Sequence, residues 1–138
     1  MAGEAITGGC ECGALRYDCT AVPLMAGHCH CRSCRKASGT GHGSHLMVPR
    51  AAIRISGEAS RYERPADSGN TVRRAFCPRC GCPVWSETSG YPEVLVLRAG
   101  SLDDPERFRP GARVYAAEAP IWDHMDPALP SFAGMPRR

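Results

Sequence analysis

The amino-acid sequence predicts a mainly β fold of two small sheets pinned together at cysteine clusters, with at most one or two short helices. Three observations carry this. Strand-period segments are short and numerous, helix-period segments are nearly absent, and seven of the nine cysteines fall into three tight groups. The groups are Cys10-x-Cys12, Cys29-His30-Cys31-x-x-Cys34, and Cys77-Pro78-Arg79-Cys80 with Cys82 close behind.

The elements follow in chain order. Leu15, Tyr17 and Cys19 alternate with Arg16 and Asp18, the pattern of a half-buried strand, with Cys19 read as a small buried hydrophobe. A short helix is expected from Arg32 to Ala37, where Gly39 would stop it. Residues 44–48 form a strand, and Ile53 and Ile55 alternate with Arg54 and Ser56 in another. Val72, Arg74 and Phe76 alternate with Thr71, Arg73 and Ala75. The run 93–98 lacks alternation, which suits a central strand covered on both faces, and 112–116 adds a last strand. Loops are marked by 65–70, 100–105 and Pro110-Gly111. The Pro-rich tail from Pro120 offers Trp122 and Phe132 as anchors. The whole chain, 1–138, is expected to be a single domain.

Thiolates two or three residues apart converge on one small cation, because a strand end or a tight knuckle turns both sulfurs the same way. Cys10, Cys12, Cys77 and Cys80 would close a tetrahedral four-thiolate zinc site, and Cys29, Cys31 and Cys34 would leave a second zinc with three ligands and one open position. Two zinc ions per chain are therefore expected, the closed one structural and the open one able to do chemistry. Cys82 is an alternative to Cys80, and His28 an alternative fourth ligand of the second zinc. A zinc shared by Cys12 and Cys77 ties the N-terminal hairpin to a knuckle beyond mid-chain, so the expected architecture places the open zinc in a groove between the two sheets.

Competing uses of these cysteines fit less well. The opening MAGEAITGG has neither a basic nor an apolar targeting region, which points to a cytoplasmic chain with reduced thiols. A thioredoxin-like motif would need a helix opening at Cys77, where Pro-Arg-Cys-Gly reads as a turn. No run approaches the ~18 apolar residues of a membrane span. The formal charge of +3 assumes neutral thiols; seven thiolates and two Zn²⁺ bring it close to zero, so a nucleic-acid partner is not expected. Sixteen of the seventeen Lys and Arg residues are Arg, many beside the sulfurs, where a metal–thiolate cluster would attract them or where they simply meet solvent.

Five segments resemble one family. Gly9-Cys-Glu-Cys-Gly-Ala-Leu-Arg-Tyr17, Cys29-His-Cys-Arg-Ser-Cys-Arg-Lys-Ala-Ser-Gly39, Phe76-Cys-Pro-Arg-Cys-Gly81, Gly100-Ser-Leu-Asp-Asp-Pro105, and Ala119-Pro-Ile-Trp122 through Phe132-Ala-Gly-Met-Pro136 are similar, in order and over nearly the whole chain, to the glutathione-dependent formaldehyde-activating enzymes and centromere protein V-like proteins. The resemblance implies an Mss4-like, mainly β fold. It implies a structural zinc on Cys10, Cys12, Cys77 and Cys80 and a catalytic zinc on Cys29, Cys31 and Cys34. The activity it implies is that of a carbon–sulfur lyase, interconverting S-(hydroxymethyl)glutathione with glutathione and formaldehyde.

That chemistry suits the residues. Zinc with an open position lowers the pKa of a bound thiol, which then attacks an aldehyde or leaves when a hemithioacetal collapses. His28, His30, His42 and His45 are candidates for moving the hydroxyl proton, and Arg32, Arg35 and Lys36 for meeting a substrate carboxylate. The expected partner is a small thiol such as glutathione or its aldehyde adduct. The alternative is a non-catalytic, zinc-stabilised binding module.

Overall fold

The computed structural model describes residues 5–136, so the ends of the expected 1–138 domain, including the first residues of the targeting reading, lie outside it. The fold is mainly β, in two sheets, with one α-helix among the described residues. Strand β1 (Ile6–Gly9), β2 (Arg16–Cys19) and β5 (Ile53–Ser56) form a small antiparallel sheet in the order β1-β2-β5. The larger sheet uses β3 (Met25–Cys29), β4 (Gly43–Pro49), β6 (Ser60–Pro65), β7 (Thr71–Phe76), β8 (Pro83–Thr88), β9 (Val94–Arg98) and β10 (Arg113–Val114). Its order is β10-β3-β4-β9-β8-β7-β6, antiparallel except where β10 runs parallel to β3. Helix α1 (Arg32–Ser38) matches its expected position; Gly39 ends it at φ 76°, a left-handed conformation that glycine adopts without steric cost. No described helix is long and apolar enough to cross a membrane.

The core lies between the sheets. Residues directly opposite across a ladder share a face, so the pairs Leu46–Leu97, Val48–Leu95 and Trp85–Leu97 set one face of the large sheet toward Ile6, Tyr17 and Cys19 of the small one. All eight side chains are at most 3% exposed. Fully burying each large apolar side chain contributes about 1.5–3 kcal/mol. The Tyr17 hydroxyl meets Ser101 Oγ at 2.8 Å, and Ser101 in turn donates to the Arg98 carbonyl, so the one buried phenol is satisfied across the sheets.

Several expectations are corrected. The cluster Cys29, Cys31, Cys34 does not face a groove between the sheets: Cys29 pairs with Gly43, on the face of the large sheet opposite Leu46 and Leu97. Trp122 and Phe132 do not anchor the tail; they are 63% and 40% exposed. The tail is held instead by main-chain hydrogen bonds, Arg113 N–H to Pro130 and Phe132 N–H to Arg113. Ile55 is exposed at 40%, leaving Ile53 as the packed residue of β5. In β7 it is Ala75 that is buried, because that face meets Trp85. The strand expected over 112–116 is cut to two residues as the chain turns at Tyr115, φ 52°.

Candidate functional site

The first cluster forms at one end of the core. Cys10 follows β1 and Cys77 follows β7, and both are buried, whereas Cys12 and Cys80 sit on the turns and are exposed. Sulfur separations are 3.7 Å for Cys10–Cys12 and 3.7 Å for Cys12–Cys77. A tetrahedron with metal–sulfur bonds of about 2.3 Å has edges of about 3.8 Å, so the four sulfurs fit a zinc-sized cation. Backbone amides turn toward the sulfurs: Leu15 N–H to Cys10 at 3.3 Å, Arg79 N–H to Cys77 at 3.3 Å and Cys80 N–H to Cys77 at 3.5 Å. Burial opposes ionisation of Cys10, yet the Leu15 amide and the neighbouring thiols bring it down to about 6. Cys82 stands outside this group, its thiol directed at the Pro83 carbonyl.

The second cluster lies where β3 passes into α1. Cys29 ends the strand, Cys31 caps the helix by accepting from Cys34 N–H at 3.3 Å, and Cys34 sits one turn on. All three sulfurs are within 4.8 Å of one another, and no fourth His, Cys, Asp or Glu among the described residues joins them at that spacing. The thiols conflict electrostatically. Hydrogen bonds from Cys29 and then Cys34 pull Cys31 down to about 2, while the same contacts push Cys29 far above the ordinary thiol range. Three thiols packed this closely can all ionise only with a cation between them.

Of the floor beside this cluster, His45 was a candidate in the sequence, whereas Arg98 was not. His45 pairs with Arg98 across β4 and β9, on the face that carries Cys29. His45 Nε2 is 3.7 Å from Cys34 Sγ. A Cβ at Gly43 would lie 2.7 Å from His45 Nε2 and 3.3 Å from Arg98 Nη1, so the absent side chain is the space these two heads occupy. Arg74 reaches in from β7, its Nη2 donating to Ser33 Oγ of α1 at 2.6 Å. His45 Nδ1, Arg74 Nε and Arg98 Nε are buried without hydrogen-bond partners. Burial first, then Arg98, pushes His45 down to about 3, so it is a neutral imidazole.

The other histidines lie elsewhere. His28 pairs with Ser44, on the face opposite Cys29, with its Nδ1 2.8 Å from Ser44 Oγ. His30 and His42 bring their Nδ1 atoms to Asp123 Oδ2 at 3.1 and 2.9 Å. These three donor atoms could also hold a metal. Arg113 Nη1, however, approaches His30 Nε2 at 3.5 Å and can only donate, which leaves the ring proton on Nδ1 to bond Asp123 and the Gly41 carbonyl. The trio is therefore a hydrogen-bonded lock holding the tail, and its 81-residue separation hid it from sequence reasoning. Of the expected carboxylate contacts, Arg35 is committed to the carbonyls of His30 and Glu118 at 2.8 Å each, while the Arg32 and Lys36 side chains are exposed.

Comparison with known proteins gives two findings. The model of the family described as glutathione-dependent formaldehyde-activating enzyme matches residues 5–118. A crystal structure of a Rhodobacter sphaeroides protein from a structural genomics programme is similar in fold, with a TM-score of 0.58 at 16% identity, over 91% of this chain and 98% of that one.

Proposed function

The chain belongs to the glutathione-dependent formaldehyde-activating enzyme family, and from that premise we propose that it is a zinc-dependent carbon–sulfur lyase acting on thiol–aldehyde adducts such as S-(hydroxymethyl)glutathione. Cys29, Cys31 and Cys34 would hold the reactive zinc, and Cys10, Cys12, Cys77 and Cys80 the structural one. The observation that carries the reading is the convergence of three sulfurs, with no fourth His, Cys, Asp or Glu among the described residues within 4.8 Å of all of them.

Zinc bound there would supply Lewis acidity, stabilising the substrate sulfur as thiolate. In adduct collapse the carbon–sulfur bond breaks with its electron pair going to sulfur, the hydroxyl oxygen becomes the carbonyl of formaldehyde, and the hydroxyl proton leaves. Of the four histidine candidates, His45 alone shares the sheet face of Cys29, and its neutral ring offers a hydrogen bond to that hydroxyl. Cys31 at the helix cap and Cys34 one turn later keep the sulfurs in fixed relation, so little ordering is left to the moment of reaction.

The test is exchange between glutathione, formaldehyde and the adduct, followed by NMR exchange spectroscopy. The expected result is an exchange rate above that of the uncatalysed mixture, lost in Cys31→Ser. A protein loaded with two zinc ions that leaves the rate unchanged would refute the lyase reading.

A further inference from the structure

Arg98 is the most unusual charge in the molecule. It is 7% exposed, its Nε has no partner, and no carboxylate pairs with it among the described residues. Its head lies over Gly43 beside Cys29, next to His45. Arg74 repeats the pattern: it bonds Ser33, the neighbour of Cys34 in the chain, by one nitrogen, while its buried Nε stays unpartnered. A guanidinium taken out of water needs an anion beside it, and the thiols facing Arg98 are Cys34, Cys29 and Cys31, so its balance depends on that cluster and on what the cluster binds.

Charge balance limits what such a ligand can be. Three thiolates and one divalent cation carry a net −1, and the two arginines add +2. Water in the open position leaves the site positive; a thiolate there makes it neutral. Arg74 also lines a cleft of about 300 Å³ between α1 and strands β6 and β7, whose walls include Lys36, Tyr62 and Phe76. The cleft carries two cations, Arg74 and Lys36, and Arg74 also bonds Ser33, the neighbour of Cys34 in the chain.

We propose that Arg98 and Arg74 make this centre selective for a small anionic thiol, whose sulfur settles as thiolate beside Arg98 and whose carboxylate reaches Arg74 and Lys36 in the cleft. The inference rests on the open three-thiolate centre proposed above. On binding, the S–H bond breaks, the electron pair stays on sulfur, and the proton passes to water. Arg98 and Arg74 are then specificity-determining residues, replacing the exposed Arg32 and the committed Arg35 in that role.

Calorimetric titration of the zinc-loaded protein with 3-mercaptopropionate, 2-mercaptoethanol and cysteamine tests this, since the three differ mainly in the charge carried beside a common thiol. The ammonium of cysteamine makes its thiol the most acidic, so intrinsic thiolate availability favours it. The expected order is the reverse, with 3-mercaptopropionate at least about tenfold tighter than cysteamine and 2-mercaptoethanol between. Arg74→Gln should erase the advantage of the carboxylate over the hydroxyl while leaving 2-mercaptoethanol unchanged. Arg98→Gln should weaken all three about tenfold with the zinc count unaltered. Thiols binding without charge preference, or variants binding as the wild type does, would overturn the inference and leave the lyase reading standing. If Arg98→Gln does not fold, the ranking on the wild type and on Arg74→Gln decides. If no thiol binds to protein carrying two zinc ions, the open-centre reading falls and this inference with it.

Discussion

Substituting Cys77→Ser removes one of four converging sulfurs, which come as Cys10 with Cys12 and Cys77 with Cys80 from two segments far apart in sequence. Cys12 and Cys77 are 65 residues apart, with sulfurs at 3.7 Å. Applying the loop-closure relation for cross-links, a tie over that length restricts the unfolded chain by about 4 kcal/mol. The metal–sulfur bonds themselves contribute on the order of 10 kcal/mol in small zinc domains. Together these match or exceed the ~5–15 kcal/mol that holds a typical domain folded. Cys29 and Cys34, by contrast, are five residues apart, and the same relation gives only about 2 kcal/mol. Cys77→Ser is therefore expected to lose its cooperative thermal transition, while Cys31→Ser keeps it and loses one metal. Circular dichroism melts and zinc analysis by mass spectrometry, run side by side, read both quantities. A Cys77→Ser protein that melts as the wild type does and retains both metals would refute the ligand assignment and the energetic argument at once. Cys80→Ser sharpens the result, because Cys82 is directed at the Pro83 carbonyl and is not expected to replace the lost sulfur.

Two further outcomes follow from the geometry. Gly43→Ala should keep the fold and both metals at a cost of about 1–3 kcal/mol, but weaken thiol binding, because the new Cβ would sit 2.7 Å from His45 Nε2 and displace it; unchanged thiol titrations would contradict the placement of His45 and Arg98. Tyr17 is buried and its hydroxyl is pushed up to about 12 by that burial, against an ordinary 10. A phenol with a raised folded pKa contributes stability that is whole below pH 10 and is lost as pH rises through 12, here on the order of 2–3 kcal/mol. Tyr17→Phe should therefore flatten the fall in denaturation midpoint between pH 10 and 12, and an equally steep fall in the variant would refute the assignment.

What the sequence revealed, and what it did not, follows from the range of each interaction. The alternation at Leu15, Tyr17 and Cys19 and the helix stopped by Gly39 are local effects of the pleat and of backbone sterics, and both are found in place. The convergence of Cys10 and Cys12 with Cys77 and Cys80 is long-range, yet it was legible because thiol pairs at that spacing have few other uses in a reduced chain. Strand β1 was not resolved as a strand, since its Ile-Thr-Gly-Gly has little side-chain pattern to read. The direction faced by Cys29 was misjudged for a different reason. Period-2 alternation says which residues share a face, but only the register of β3 on β4 and of β4 on β9 says which face meets the core.

Arg98 shows the same limit most sharply. At the end of Val-Leu-Val-Leu-Arg nothing in the local pattern singles it out. Three facts that no local pattern contains turn it inward: pairing with His45, the vacant side of Gly43, and a thiol cluster built where β3, the strand beyond β4, passes into α1. Exposed to water the charge would cost little, but beneath the cluster it is withdrawn from water and must be balanced by the thiols and by what they bind. The same withdrawal that makes Arg98 unfavourable in the isolated chain makes it discriminating, because a ligand lacking a negative charge leaves that cost in place.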